Sequence, residues 1–197
     1  MNTQVAETYQ STEAQPTRHL ITVEAYHKMG EAGIFAPDER VELIEGGVID
    51  IAPIGSEHAG TVNKLSNLLA YALQGRAIVA AQNPVVLGDH SEPQPDLAVL
   101  RFREDYYTQA HPGPEDILLL IEIADTTARY DREVKVPLYA RHGIPEVWLI
   151  DLKEKRLEVY SGPERGEYRH VDYYRSGQVS PKCFTEVVVE LHELGME

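Results

Sequence analysis

Two carboxylates sit where a folded chain least tolerates an uncompensated charge. Asp96 follows Pro95 at the head of the apolar run Leu97-Ala-Val-Leu100, and Glu122 lies inside a second apolar run, Ile117 to Ala124. Such runs read as buried β-strands, and an ionised carboxylate within one is expensive unless something compensates it. A metal ion is a compensation that brings chemistry. Mg²⁺ held by one or two carboxylates supplies an oriented hydroxide, a Lewis acid on the phosphoryl oxygen and help for the leaving alkoxide, which is what phosphodiester hydrolysis needs. Adjacent strands lie about 5 Å apart, so the two side chains would converge, and the backbone carbonyl of Ile123 would add a third oxygen ligand. A lysine two residues after the glutamate, the usual third member of such a site, is missing: Ala124 stands there. The plainer alternative is a surface aspartate and a strand-edge glutamate with no common task.

The elements that would have to position these residues follow from the apolar spacing. Thr22 caps a short helix ended by Gly30 or Gly33. Val41 to Ile51 reads as a hairpin about Gly46-Gly47, with Glu42 and Ile44 on one face. From His58 to Gly75 the residues Val62, Leu65, Leu68, Leu69 and Leu73 form an amphipathic helical stripe. Ala77 to Ala81, Pro84 to Leu87, Leu97 to Leu100 and Ile117 to Ile123 are expected strands, with a long excursion over 101–116. A second helix is expected from about Asp131 to His142, kinked or offset by Pro137. Pro145 to Asp151 reads as a strand buried on both faces, Lys155 to Ser161 as a half-exposed one, and Glu167 to Tyr174 and Thr185 to Glu190 as further strands. The sum is an α/β or α+β chain with a mixed sheet between two helices. The polar stretch over 1–18 is expected to be a disordered or extended tail, followed by a single domain over 19–197.

Composition narrows the function. A length of 197 residues with 43% hydrophobic and 25% charged residues suits one globular domain. The start is polar, with neither a basic segment nor an apolar block, so secretion and membrane insertion are not expected. Cys183 is the single cysteine, which fits a reducing cytoplasm and a small buried residue. The net charge of −14 argues against binding nucleic acid through the whole surface. Residues 129–175 nevertheless carry 10 of the 18 Lys and Arg against 9 acids, which makes this region the better nucleic-acid face. The histidines lack the paired spacing of a zinc enzyme. Tyr106-Tyr107 and Tyr173-Tyr174 could stack on bases, although packing is their commoner use.

Longer motifs point to a family. Arg40-Val-Glu-Leu-Ile-Glu-Gly, Pro53, His58, Pro95-Asp96-Leu-Ala-Val, Ile121-Glu122-Ile, and the block Lys135-Val-Pro-Leu-Tyr-Ala-Arg-His-Gly-Ile-Pro-Glu-Val-Trp-Leu together closely resemble the Uma-two family of restriction-endonuclease-like proteins, over about residues 20 to 162. The resemblance implies a PD-(D/E)XK nuclease core, a mixed sheet flanked by helices with an additional N-terminal helix and hairpin. It also implies a metal-dependent phosphodiesterase site and often a homodimer, and the leading expectation is a DNA endonuclease using Mg²⁺ or Mn²⁺.

Carried over by position, Asp96 and Glu122 match the two acidic motif residues and would hold the metal with Ile123. Lys135, on the following helix, would stand in for the lysine missing at Ala124. Asp131, Lys135 and Tyr139 recur every four residues and so share a helical face; an ordinary surface ion pair between Asp131 and Lys135 is the alternative. Glu42 would be a further ligand or orient a metal-bound water, or else be a solvent-facing strand residue. His58 and Tyr139 are candidate substrate contacts, His58 also fitting a helix-capping role. The competing reading of the whole chain is a catalytically silent binding or assembly module on the same scaffold.

Overall fold

The structure is a computed structural model that describes residues 17–196, so the expected tail lies almost wholly outside the described residues. Helix α1 (Val23–Glu31) begins where Thr22 predicts: its hydroxyl accepts from the N–H of Ala25 at 3.1 Å, satisfying one of the free donors of the first turn. Strands β1 (Val41–Ile44) and β2 (Gly47–Asp50) pair antiparallel from Val41 opposite Asp50 to Ile44 opposite Gly47. Their turn is Glu45-Gly46, one residue earlier than the Gly-Gly pair suggests. Both residues have positive φ, 47° and 75°, the geometry that matches strand twist. Gly46 is required twice over, since a Cβ there would stand 2.6 Å from Cβ of Leu20.

Helix α2 (Ser56–Leu73) buries Val62, Leu65, Leu69 and Leu73, each burial contributing roughly 1.5–3 kcal/mol. It lies against a six-stranded sheet whose spatial order follows the chain: β3 (Ala77–Ala81), β4 (Leu97–Arg101), β5 (Ile117–Ala124), β6 (Glu146–Asp151), β7 (Arg156–Glu164) and β8 (Glu167–Tyr174). Every neighbouring pair is antiparallel except β5 and β6. A parallel step requires a crossover, and here it is helical. The turn Ala128–Tyr130, the π-helical segment Asp131–Lys135 and the helix Val136–Arg141 run together over 128–141 and are termed α3. The N–H of Val136 donates to the carbonyl of Asp131, five residues back. Pro137 explains the widening: it has no N–H, and its ring excludes the carbonyl four residues earlier.

The two faces of the sheet carry separate cores. Leu97, Val99, Leu119, Ile121, Ile123, Trp148 and Ile150 meet α2, whereas Ala98, Leu100, Leu120, Ala124, Val147 and Leu149 meet Val136, Leu138 and Tyr139 of α3. The alternation along β5 therefore assigns Glu122, between Ile121 and Ile123, to the α3 side.

Four expectations are corrected. Pro84 to Leu87 is not a strand; Val85 and Leu87 bury themselves while donating to the carbonyls of Pro93 and Ser91 in an irregular loop. Strand β7 is buried rather than half-exposed, because Arg132 and Arg156 clamp the carboxylate of Glu158 and allow it inside. Of Thr185 to Glu190 only β10 (Val189–Glu190) is a strand, paired with β9 (Gln178–Val179). Cys183 is exposed, not buried. Among the described residues, no helix is long and apolar enough to cross a membrane.

Candidate active site

Register brings the two acidic residues together. β4 and β5 pair with Leu97 opposite Ile121, so the next step of the ladder sets Asp96 opposite Glu122. Asp96 lies just before β4, and its side chain replaces the missing ladder partner: Oδ2 accepts from the N–H of Ile123 at 2.8 Å. Its other oxygen, Oδ1, is 2.8 Å from Nε2 of His58 in the first turns of α2 and 3.3 Å from the side-chain amide of Gln82. His58 thus neither caps α2 nor faces bulk solvent; it contacts the aspartate.

Glu122 is met from α3. The hydroxyl of Tyr139 donates to its Oε1, and Nζ of Lys135 stands 3.4 Å from the same oxygen. That ammonium is also 3.1 Å from Oε2 of Glu42 on β1, which in turn accepts from the backbone N–H of Gln94 at 3.2 Å. Lys135 therefore ties the hairpin to the sheet at the site. Asp131 and Lys135 are not a surface pair. Both are buried, and Asp131 instead accepts from the hydroxyl of Thr127 at 2.7 Å. Glu42 is likewise buried on a strand whose four residues are all inside, so the solvent-facing alternative does not hold.

Glu42, His58, Asp96, Glu122, Ile123 and Lys135 line one pocket of about 260 Å³. Tyr139 does not. It is 0% exposed and its hydroxyl donates to Glu122, so it faces the carboxylate and not the pocket, a position that does not fit the expected substrate contact. Arg40, Gln82, Gln94, Asp125, Tyr130 and Asp131 complete much of the wall. Of these the glutamines carry no sequence signal at all, and Tyr130 is one of eleven tyrosines with nothing to mark it.

The pocket holds too much negative charge for its own cations. Six acidic side chains line it (Glu42, Asp50, Asp96, Glu122, Asp125 and Asp131) against Arg40, Lys135 and, when protonated, His58. Burial pushes Glu122 up to about 8, against the pull of Lys135, and burial also raises Asp131. For Lys135 burial works in the opposite direction, but Glu122, Glu42 and Asp131 outweigh it and hold the ammonium charged. The hydrogen bond to Asp96 raises His58 above the usual imidazole value.

This surplus is what a bound cation would relieve. Among the described residues, no three His, Cys, Asp or Glu side chains are gathered closely enough to enclose an ion by themselves. The donor set therefore does not fit a closed zinc cage. It fits a hard cation such as Mg²⁺, which takes one or two carboxylates and keeps water in the rest of its shell.

Comparison with known proteins identifies the fold and the family. The crystal structure described as that of a "putative nuclease belonging to DUF820" from Anabaena variabilis ATCC 29413 superposes with a TM-score of 0.68 at 18% identity, covering 88% of this chain and 97% of that one. Likeness at that identity shows a shared fold. No curated protein matches the chain. The model of the Uma2 family, described as "Putative restriction endonuclease", matches residues 23–191, and the chain belongs to that family.

Proposed function

We propose that the protein is a metal-dependent endonuclease that hydrolyses DNA phosphodiester bonds. One observation carries the reading: Lys135 reaches the carboxylates from α3, its ammonium 3.4 Å from Glu122 and 3.1 Å from Glu42, and so supplies the cation that Ala124 cannot. Asp96 and Glu122, with the carbonyl of Ile123, would hold Mg²⁺ or Mn²⁺. The ion, when bound, supplies Lewis-acid stabilisation of the phosphoryl oxygen and lowers the pKa of a water at neutral pH.

The protein's own residues do the rest. Lys135 offers its donors to the attacking water or the scissile phosphate, oriented by Glu42 from the opposite wall. His58 fixes the rotamer of Asp96, and Tyr139 fixes that of Glu122; buried second partners of this kind set ligand orientation. Cleavage of both strands of a duplex calls for two sites, which a homodimer provides, and a single cysteine suits a reducing cytoplasm. The rival reading, a catalytically silent module on the same scaffold, predicts Lys135 turned away from Asp96 and Glu122; its 3.4 Å approach to Glu122 favours the enzyme.

The test is cleavage of plasmid and oligonucleotide substrates with Mg²⁺ or Mn²⁺, with metal binding followed by calorimetry. Asp96→Ala should abolish cutting and leave circular dichroism unchanged. No cleavage of any DNA or RNA, together with no metal binding, would sink the proposal.

A further inference from the structure

Tyr130 has an unusual position. It lies at the end of the first turn of α3, immediately before the π-helical segment that carries Asp131 and Lys135. Tyr130 is among the residues that line the same pocket as Glu42, Asp96, Glu122 and Lys135. Among the described residues, its hydroxyl is the one buried side-chain polar atom with no hydrogen-bond partner in the protein. Every other buried polar group of this crowded site is engaged: Asp96 by His58, Gln82 and Ile123, Glu122 by Tyr139 and Lys135, Asp131 by Thr127. Buried polar groups are nearly always paired, and an exception needs an explanation.

A phenol hydroxyl has one proton to give. The surroundings of this one are acceptors: Glu42, Asp131 and Glu122 all act on it electrostatically, with Lys135 the opposing charge. Burial first, and Glu42 next, push the phenol up to about 12, so the hydroxyl keeps its proton at any working pH. A protonated donor with no acceptor of its own, at the wall of a pocket built to hold a cation, is free to pair with an anionic ligand oxygen. We propose that Tyr130 is a further catalytic residue of this pocket, its hydroxyl, covered from solvent in the free protein, turning to donate a hydrogen bond to a non-bridging oxygen of the bound phosphodiester.

This assignment rests on the nuclease reading for the identity of the anion, and it has its own consequences. Tyr130→Phe removes the donor and keeps the ring. Because the hydroxyl has no partner in the free protein, the variant should melt at the wild-type temperature or above, whereas removal of a structural hydrogen bond would lower it. Mn²⁺ affinity by calorimetry should not change. Single-turnover cleavage should fall by about tenfold to a hundredfold, the effect of one hydrogen bond to a charged oxygen. Wild-type cleavage by Tyr130→Phe would overturn the proposal, as would a lower melting temperature accompanied by weakened Mn²⁺ binding.

The fate of the nuclease reading can be separated from this. If the wild-type protein cleaves nothing, that reading falls, and Tyr130 is judged by anisotropy of a fluorescent oligonucleotide in Ca²⁺. Binding weakened severalfold or more by Tyr130→Phe supports the hydroxyl as a phosphate donor. Equal binding, or none by either protein, overturns it.

Discussion

The ammonium of Lys135 stands 3.4 Å from Oε1 of Glu122, although the two belong to different elements, α3 and β5, and neither is more than 7% exposed. A strand places residues two apart on the same face, which is how a lysine at 124 would share the Glu122 side. Here that position is filled by Ala124, fully buried against the cluster of Val136, Leu138 and Tyr139. The helix that occupies the space for a lysine on the strand is the helix that delivers one. Its π-helical segment includes Lys135, and a widened turn of this type is often found at functional sites.

Lys135→Met is therefore expected to abolish cleavage and to destabilise the fold. It would leave Glu42 buried without its cation and remove the pull of Lys135 that holds Glu122 down against burial, a loss of about 3–5 kcal/mol for a broken buried pair. Adding Glu122→Gln should restore part of that stability but no activity, giving a coupling that a double-mutant cycle measures by denaturant unfolding. Additive effects of the two substitutions would show that Lys135 and Glu122 do not interact in solution.

Returning the lysine to the strand should fail. Ala124→Lys forces a long side chain into the α3 face of the core, with overpacking alone costing roughly 1–3 kcal/mol. In a Lys135→Met background it should restore no cutting. Recovery of cleavage by the double variant would mean that α3 yields at this point and that its position is not what decides the source of the cation.

Much of this site was legible before folding, for unequal reasons. Asp96 and Glu122 stand out because a charge inside an apolar run contradicts its surroundings. Lys135 has no such contrast, since Asp131-Arg-Glu-Val-Lys135 reads as an ordinary solvated helix turn. Only the family resemblance singles it out, and only the π-helical turn and the crossover between β5 and β6 explain its burial. Tyr139 was traceable to the right helical face but not to its acceptor, because periodicity gives a direction and not a partner. The expected strand Pro84 to Leu87 failed for a similar reason: Val85 and Leu87 are buried apolar residues, and burial without a neighbouring strand does not make a ladder. Glu158 misled in the opposite sense. Its alternation with Leu157 and Val159 predicts an outward face, but Arg132, Arg156 and Tyr160 compensate its charge inside the fold.

Tyr139→Phe should weaken the metal site without contacting a substrate. The phenol stabilises the ionised form of Glu122 and lowers its pKa; without it the carboxylate holds its proton to higher pH. Metal affinity measured by calorimetry should fall at neutral pH and recover as the pH is raised. The lost hydrogen bond should cost about 1–3 kcal/mol of stability. An unchanged pH dependence of metal binding would remove Tyr139 from the site.

Without metal, the protein should be less stable at pH 8.5 than at pH 6. Folded Glu122 keeps its proton to about pH 8, because burial disfavours the charge, while an unfolded glutamate loses it near 4.5. Between those values the native state binds more protons, so stability falls as pH rises, by at most about 1.4 kcal/mol per pH unit for one proton. His58 acts in the same sense: raised above 6.5 by its hydrogen bond to Asp96, it contributes stability below that value that is lost as the pH climbs through its folded pKa. Glu158 sets the acid limit, since Arg132, Arg156 and Tyr160 lower its pKa against the effect of burial, and its contribution is lost only as pH falls below the ordinary carboxylate range. Denaturant unfolding in EDTA at pH 6 and 8.5 tests this directly. Glu122→Gln should flatten the decline, and saturating Mg²⁺ should do the same by taking the place of the proton. Stability that instead rises between these two pH values would mean that Glu122 is already ionised in the free protein, with Lys135 as its counter-ion.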